Sequence, residues 1–354
     1  MAEVTELKSF SFSKLSSTDN YDEIAALGKE IVEEFQKVGF LRLVDIPDFE
    51  DKELLDAIKF YYGRPKEEKM KLALKRFHAE NKNEYRGYMP LVKNLPVFKE
   101  QTDFGNDSIV EPPENAPDYE KFTKEKNCYP HEEFGRTVDK FYRIYHDCAL
   151  LILRFLAIGI GVEESYFTDF FFENQTDQHL STFRLLHYPP KGKISNLSDK
   201  DIPISTPEHS DSSLLTLLST FENYGLQVRN KENTWVWVRP VKNTLIVNLG
   251  SMIEEITEGK LPATLHRVMD LGENRYSAPM FVEPCFSNTS FLKILRSEKN
   301  WTDKKYKNYG EFSAKTSGRH GEYDEITENP KFKFFPKEEV LHNGVGNGIP
   351  FELA

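Results

Sequence analysis

Two histidines and an aspartate in the second half of the chain are of the types that bind metal ions. His209 and Asp211 form a His-x-Asp pair, and His266 follows later in the chain. Two imidazole nitrogens and one carboxylate hold non-haem Fe(II) on one face and leave other positions open for substrate and O₂. Because side chains two residues apart in a strand share a face, His209 and Asp211 can reach the same ion. The pattern predicts an oxygen-activating iron centre.

An arginine and a serine shortly after these residues predict an anion-binding site. Arg275 and Ser277 are separated by a single tyrosine. A guanidinium presents a planar fork of donors that matches a carboxylate, and the serine hydroxyl adds another donor. We therefore expect an organic acid to bind beside the metal as a co-substrate.

The composition is that of an acidic globular protein. The 354 residues suffice for one large or two small domains, and the net charge of −11 argues against nucleic acid or an anionic membrane as a partner. The three scattered cysteines fit reduced thiols better than a disulfide framework or a zinc cluster. We expect a cytoplasmic protein without a secretory leader or a membrane span. The oligomeric state is unknown at this stage.

The elements that must position these residues change in type along the chain. Before residue 160, apolar residues recur at three- and four-residue steps, most clearly from Ile24 and from Phe134, which is typical of helices. Residues 85–129 are polar with little periodicity, so we expect mostly loops there. From residue 178 onward, short β-branched and aromatic segments alternate with turn residues, which predicts a sandwich or a jelly roll.

These patterns together predict a mixed α/β (α+β) fold in a single catalytic unit, residues 1–354. We expect a mainly helical N-terminal part (1–160), a jelly-roll core that carries the metal site (178–285) and a C-terminal extension (286–354). The predicted strands of the core are 181–188, 214–219, 226–229, 234–239, 245–249, 266–268 and 275–283.

The spacing of the ligands alone leaves a structural interpretation open, since histidines often bond to backbone and aspartates often cap turns. The segments around them are more specific. In the core they are STFRLLHYPP (181–190), TPEHSDSSLLTLLST (206–220), YGLQVRN (224–230), WVWVRPVKNTLIVNLGSMIEEITEGKLPATLHRV (235–268) and RYSAPMF (275–281). Outside the core they are VGFLRLVDIP (38–47), PKEEKMKL (65–72), YRGYMPL (85–91), FKEQTDFG (98–105) and YGEF (309–312). In order and spacing they resemble the isopenicillin-N-synthase-like family of Fe(II)/2-oxoglutarate dioxygenases.

The resemblance implies a double-stranded β-helix, which is a jelly roll with flanking helices. The implied Fe(II) ligands are His209, Asp211 and His266, and the residues implied for the far carboxylate of 2-oxoglutarate are Arg275, Ser277 and Tyr188. The implied reaction uses O₂, converts 2-oxoglutarate to succinate and CO₂, and oxidises an unactivated C–H bond of a small molecule. Hydroxylation, desaturation and ring closure all stay open, and the iron centre is the only catalytic group implied.

Three further residues are predicted to meet the substrate, namely Arg86, Tyr88 and Arg184. The first two lie in a segment that often approaches the substrate in this family, and the third lies on a strand that enters the core. An arginine in contact with the substrate favours a carboxylate on it. Each residue also has a structural alternative, a surface ion pair or a buried hydrogen bond. The chain departs from the family pattern at Ser212–Ser213, Ser251 and Leu186, which leaves the substrate side unassigned.

Two other functions are compatible with the sequence. A 2-oxoglutarate-independent iron oxidase of the isopenicillin N synthase type would use the same triad and would bind the carboxylate of its own substrate with the Arg-x-Ser pair. A non-catalytic binding module would keep the fold, but such modules usually lose a ligand, and here all three ligands and the Arg-x-Ser pair are intact. No segment of the sequence indicates protein docking.

Overall fold

The structure is a computed structural model that describes residues 3–92, 97–108, 113–115, 124–170, 179–191, 202–289 and 308–310. The predicted C-terminal extension therefore lies mostly outside the described residues, and so does the second half of the YGEF segment. The boundaries of the predicted parts of the chain stay predictions.

The helices are α1 (Phe12–Ser17), α2 (Tyr21–Val38), α3 (Asp51–Tyr62), α4 (Lys66–Met70), α5 (Glu132–Ile160) and α6 (Ser251–Ile256). The predicted apolar stripes form the buried faces of α2 and α5, which pack against each other. The side chain of Asn20 caps the first turn of α2, and Gly39 ends that helix with a φ of 77°. None of the described helices combines the length and the hydropathy needed to cross a bilayer.

The strands are β1 (Val4–Thr5), β2 (Ser9–Ser11), β3 (Phe40–Val44), β4 (Tyr88–Met89), β5 (Glu100–Phe104), β6 (Thr182–Tyr188), β7 (Ile204–His209), β8 (Leu215–Ser219), β9 (Leu226–Arg229), β10 (Trp235–Val238), β11 (Leu245–Leu249), β12 (His266–Met269) and β13 (Arg275–Val282). They form a five-stranded sheet, in the order β1-β10-β9-β12-β7, and an eight-stranded sheet, in the order β2-β3-β11-β8-β13-β6-β5-β4. Two sheets with flanking helices confirm the predicted mixed α/β (α+β) jelly roll.

The two faces of the eight-stranded sheet contact different partners. In β6, Phe183 and Leu185 belong to the main core that the helices cover. Leu186 and Tyr188 instead cluster with Val268 of β12, which belongs to the other sheet. Because successive side chains of a strand point to opposite faces, we call the first surface the helix face and the second the inner face.

Several strands were absent from the sequence-based expectation, and two of them, β5 and β7, bear on the site. The prediction of mostly loops in residues 85–129 is wrong at Glu100–Phe104, where five buried residues form β5 and pair with β6. Its polar composition concealed this strand, because ion pairs and hydrogen bonds rather than apolar contacts accompany its burial. The predicted strands also omitted β7, in which Pro207 and Glu208 interrupt the apolar alternation just before His209.

Candidate functional site

The three predicted metal ligands meet where β7 ends and β12 begins. The ladder between these strands pairs His266 directly with His209. The Nε2 atoms of His209 and His266 lie 3.8 and 3.6 Å from Oδ1 of Asp211. One donor atom from each residue lies within 4.8 Å of the other two. The arrangement can hold one metal ion with two nitrogens and one carboxylate oxygen.

Asp211 reaches this site from a loop, whereas the sequence reasoning placed it in a strand. The strand β7 ends at His209, and the carbonyl of Asp211 accepts a hydrogen bond from the backbone N–H of Ser251 at 2.7 Å. The loop packs so closely on Gly250 that a Cβ there would lie 1.8 Å from the carbonyl oxygen of Ser213. Packing of this loop against the start of α6 therefore positions Asp211.

Backbone carbonyls set the orientation of both histidine rings. Nδ1 of His209 lies 2.8 Å from the carbonyl oxygen of Pro207, and Nδ1 of His266 lies 3.2 Å from that of Thr264. A ring nitrogen that faces a carbonyl carries the proton, so each Nε2 keeps its lone pair for a metal. Burial and the neighbouring His266 also lower the pKa of His209, which favours the neutral form that binds metals.

Among the described residues, the carboxylate of Asp211 accepts side-chain hydrogen bonds through one of its two oxygens. Its Oδ2 accepts hydrogen bonds from Oγ1 of Thr216 at 2.6 Å and from Nδ2 of Asn248 at 2.9 Å. Burial by itself raises the pKa of Asp211, but the two histidines and these hydrogen bonds outweigh it, so the pKa is lowered. The sequence reasoning missed Thr216 and Asn248, although each is a polar residue inside a mostly apolar strand.

Arg275 and Ser277 lie on the inner face at the start of β13. Nη1 of Arg275 donates to Oγ of Ser277 at 3.3 Å, and Nε donates to the carbonyl of Tyr224 at 3.2 Å. The guanidinium also lies over the ring of Tyr188, 4.9 Å from its centroid. Burial lowers the pKa of Arg275, whereas Tyr188 raises it. Among the described residues no carboxylate forms an ion pair with this buried guanidinium, which therefore fits the carboxylate of a ligand.

A glycine that the sequence reasoning did not single out shapes one side of Arg275. Gly225 has a φ of +127°, which L-residues rarely adopt. A Cβ on it would lie 3.0 Å from both Cδ and Nε of Arg275. The small residue therefore leaves room for the arginine side chain next to the Tyr224 carbonyl.

Two of the three predicted substrate residues belong to a cluster of buried and half-buried charges on the inner face. Arg184 forms a bidentate ion pair with Asp103, with Nε–Oδ1 and Nη2–Oδ2 distances of 2.6 and 2.7 Å. Arg86 is buried against Gly105, where a Cβ would overlap its guanidinium. Burial raises the pKa of the nearby Glu283 to about 7, against the opposing effects of Tyr309 and both arginines. The charge of Arg184 is thus matched within the chain.

Tyr88, the third predicted substrate residue, lies on the helix face. Its hydroxyl donates a hydrogen bond of 2.5 Å to Oε2 of Glu100. Its ring packs against Tyr61, with ring centroids 6.3 Å apart, inside the main core. These contacts lie on the opposite side of the sheet from Arg275 and Ser277, so they give no support to the predicted contact between Tyr88 and the substrate.

Comparisons with known proteins agree with this geometry. Residues 179–284 match the family described as 2OG-Fe(II) oxygenase superfamily. Azadirone synthase LFS of Melia azedarach is 30% identical over 295 residues, which cover 79% of this chain and 82% of that protein. Isopenicillin N synthase of Penicillium rubens is 26% identical over 312 residues, which cover 83% and 90%. A full-length Neurospora crassa protein crystallised with alpha-KG has a TM-score of 0.67 at 24% identity, covering 88% of this chain and 97% of that one.

The sequence resemblance and the matches point to the same family. The Neurospora structure supports the jelly-roll fold, and the curated relatives carry the assignment further because they are similar over most of their own length. The donor sets described above, two imidazoles with a carboxylate and a buried guanidinium with a hydroxyl, suit an iron ion and a dicarboxylic acid. The chain therefore belongs to the 2OG-Fe(II) oxygenase superfamily, a family of oxidoreductases whose cofactors are Fe(II) and 2-oxoglutarate.

Proposed function

We propose that this protein oxidises an unactivated C–H bond of a small molecule with Fe(II), O₂ and 2-oxoglutarate. The proposed iron ligands are His209, Asp211 and His266, and the proposed residues for the far carboxylate of 2-oxoglutarate are Arg275, Ser277 and Tyr188. One observation carries the proposal: three donor atoms converge within 4.8 Å in a jelly roll whose inner face also holds a guanidinium without a carboxylate partner among the described residues. A site with both features suits a metal and an anionic co-substrate together.

The residues of the chain contribute mainly by positioning. Thr216 and Asn248 occupy one oxygen of Asp211, so the other oxygen stays directed at the histidines. The buried guanidinium of Arg275 offers a charge-assisted hydrogen bond to a carboxylate, stronger than the same bond in water. With both cofactors bound, the site supplies an oxidant for a C–H bond, while 2-oxoglutarate and O₂ are converted to succinate and CO₂. Hydroxylation, desaturation and ring closure then depend on which hydrogen the pocket presents.

We also propose that the substrate is a small molecule. The similar Neurospora protein, which has also been crystallised with thymine, provides support for a ligand of that size, at a TM-score of 0.64. A carboxylate on the substrate stays a prediction, and Arg184 gives it no added support because Asp103 already matches the charge of this arginine.

We propose further that residues 1–354 act as one catalytic unit in the cytoplasm. The N-terminal strands β2, β3, β4 and β5 belong to the same eight-stranded sheet as the strands of the core, which supports a single unit. None of the three cysteines forms a disulfide, which fits a reducing compartment.

Oxygen uptake and succinate release test the proposal directly. Purified protein is loaded with Fe(II) without O₂, and 2-oxoglutarate is added while the visible charge-transfer band of the complex is recorded. Candidate metabolites that dock next to the iron should shift this band. After O₂ is admitted, we expect succinate and O₂ uptake only when 2-oxoglutarate is present. An Fe(II)-loaded protein that binds no 2-oxoglutarate would contradict the proposal.

A second candidate is an iron oxidase that needs no 2-oxoglutarate. It is favoured by the similarity to isopenicillin N synthase, which extends over 90% of that protein. In such an enzyme Arg275 and Ser277 would bind the carboxylate of the substrate itself. Substrate oxidation with O₂ uptake but without 2-oxoglutarate would establish this alternative in the same experiment.

A further inference from the structure

A buried carboxylate on the helix face joins four of the sequence segments that carried the family resemblance. Oε2 of Glu100 accepts hydrogen bonds from Nζ of Lys69 at 2.7 Å and from the hydroxyl of Tyr88 at 2.5 Å. Its Oε1 lies 2.7 Å from Nδ1 of His187. The four residues come from the segments 65–72, 85–91, 98–105 and 181–190, and the proposed chemistry uses none of these four side chains.

This network continues to both neighbours of Arg275. Nε2 of His187 lies 2.8 Å from Oδ1 of Asn274, the residue before the arginine. The His187 ring also stacks on Tyr276, the residue after it, with centroids 4.8 Å apart and an interplanar angle of 11°. The ladders pair Glu100 with His187 and His187 with Tyr276, so these three residues form one row across β5, β6 and β13.

The row lies on the opposite side of the sheet from the arginine that it flanks. Arg275 stands between Asn274 and Tyr276, so its side chain points to the inner face while theirs meet His187. On the inner face its hydrogen bonds to Ser277 and Tyr224 are long, at 3.3 and 3.2 Å. The contacts of His187 on the helix face are shorter, and they hold the backbone from which the arginine extends.

We propose that Glu100 and His187 are positioning residues for 2-oxoglutarate, because they hold the start of β13 and so place the guanidinium of Arg275. A forked pair between a guanidinium and a carboxylate is sensitive to small displacements, which makes its backbone support important for affinity. The inference rests on the proposed function, since it requires that Arg275 binds the far carboxylate of 2-oxoglutarate.

The variant His187→Phe tests this role because it keeps a ring against Tyr276 and removes both hydrogen bonds. Calorimetry on Mn(II)-loaded protein without O₂ reports binding independently of turnover. We expect the Kd for 2-oxoglutarate to rise about tenfold, while the Kd for Mn(II) stays unchanged. Asn274→Ala should act in the same direction, and because Asn274 is exposed this variant keeps the test available if His187→Phe does not fold.

A second ligand distinguishes a loss of Arg275 positioning from a general disruption of the site. The acid 2-oxopentanoate has the same chain but no far carboxylate, so its binding does not involve Arg275. We expect His187→Phe to weaken the binding of 2-oxoglutarate only. Equal weakening of the binding of both acids would overturn the positioning role. In an Arg275→Leu background the His187→Phe change should have no further effect, since the two residues act through one contact.

A matched control is available at the other end of β13. His146 stacks on His179 with centroids 4.2 Å apart, and His179 pairs with Cys285 just beyond the end of that strand. His146→Phe should leave the Kd of both acids unchanged. If the wild-type protein binds no 2-oxoglutarate, the proposed function fails. If Arg275→Leu loses 2-oxoglutarate while His187→Phe binds it as the wild type does, only the positioning role fails.

Discussion

Two regions of this protein contain largely buried cations that differ in the source of their counter-charges. Around β5, Lys69 and Arg184 each pair with a carboxylate of the same chain, Glu100 and Asp103 respectively. At the start of β13, Arg275 is 6% exposed, against 8% for Lys69, yet among the described residues no carboxylate pairs with it. Burying a charge without a partner is costly. The matched cations are therefore neutralised within the chain, whereas the unmatched one fits the proposed binding of an anionic ligand.

Two carboxylates, those of Asp103 and Asp211, differ in the same way as the cations. Asp103 uses both oxygens on Arg184, whereas Asp211 uses one oxygen on Thr216 and Asn248 and directs the other at two histidines. The site thus keeps an anion and a cation that are not paired with each other. A metal ion and a dicarboxylic acid would supply both missing charges.

The largest effect is expected at the unmatched carboxylate. Asp211→Ala removes the anionic metal ligand, so Fe(II) binding and 2-oxoglutarate-dependent O₂ uptake should fall to background. Metal content and an oxygen electrode measure the two losses. Asn248→Leu is the milder companion, with Fe(II) affinity expected to fall about tenfold because the carboxylate loses one of its supports. Metal binding and turnover retained in Asp211→Ala would refute the ligand assignment.

Substitutions in the Asp103–Arg184 pair should change the stability of the fold rather than metal binding. Asp103→Asn removes the carboxylate that pairs with the largely buried Arg184 guanidinium, so the free energy of unfolding should fall by about 3 kcal/mol. Urea denaturation measures the change. The double variant Asp103→Leu/Arg184→Met removes both charges and should recover most of this loss. A loss of less than about 1 kcal/mol in the single variant would show that the pair is not structural.

Arg275→Leu should weaken ligand binding without lowering stability, in contrast to Asp103→Asn. The Kd for 2-oxoglutarate is expected to rise about 100-fold, because a buried charge-assisted contact is removed. The free energy of unfolding without ligand should not fall, since the substitution also removes an unmatched buried charge. Calorimetry and urea denaturation on the same samples provide the two values. A stability loss as large as that of Asp103→Asn would mean that the chain itself matches Arg275.

The smallest effect concerns Glu283, a carboxyl beside the matched region. Burial raises its pKa to about 7 in the folded protein, so between roughly pH 4 and that value the folded state holds more protons than the unfolded state. Stability from this group is therefore complete in acid and declines as the pH rises through the folded pKa. Relative to Glu283→Gln, the wild type should lose about 2 kcal/mol of unfolding free energy between pH 5 and pH 8. An unchanged difference across this range would exclude the raised pKa.

The sequence predicted the elements with clear periodicity and missed those whose burial depends on polar pairing. The stripes beginning at Ile24 and Phe134 lie in α2 and α5, because an apolar repeat at helical spacing needs only one face to bury. The strand β5 carries glutamate, glutamine, threonine and aspartate, and its partners Lys69 and Arg184 are distant in sequence. No local sequence pattern indicates such a strand.

For the site, the residue types and their order can be read from the sequence: two histidines, an aspartate, and an arginine with a serine two residues later. Only the fold shows that Asp211 reaches the histidines from a loop, that Tyr88 faces the helices, and that Arg184 pairs with a carboxylate while Arg275 pairs with none among the described residues. The physical reason is that residue type and spacing are local properties of the chain. The face that a side chain occupies and the charge that it meets depend on strand register and on partners far away in sequence.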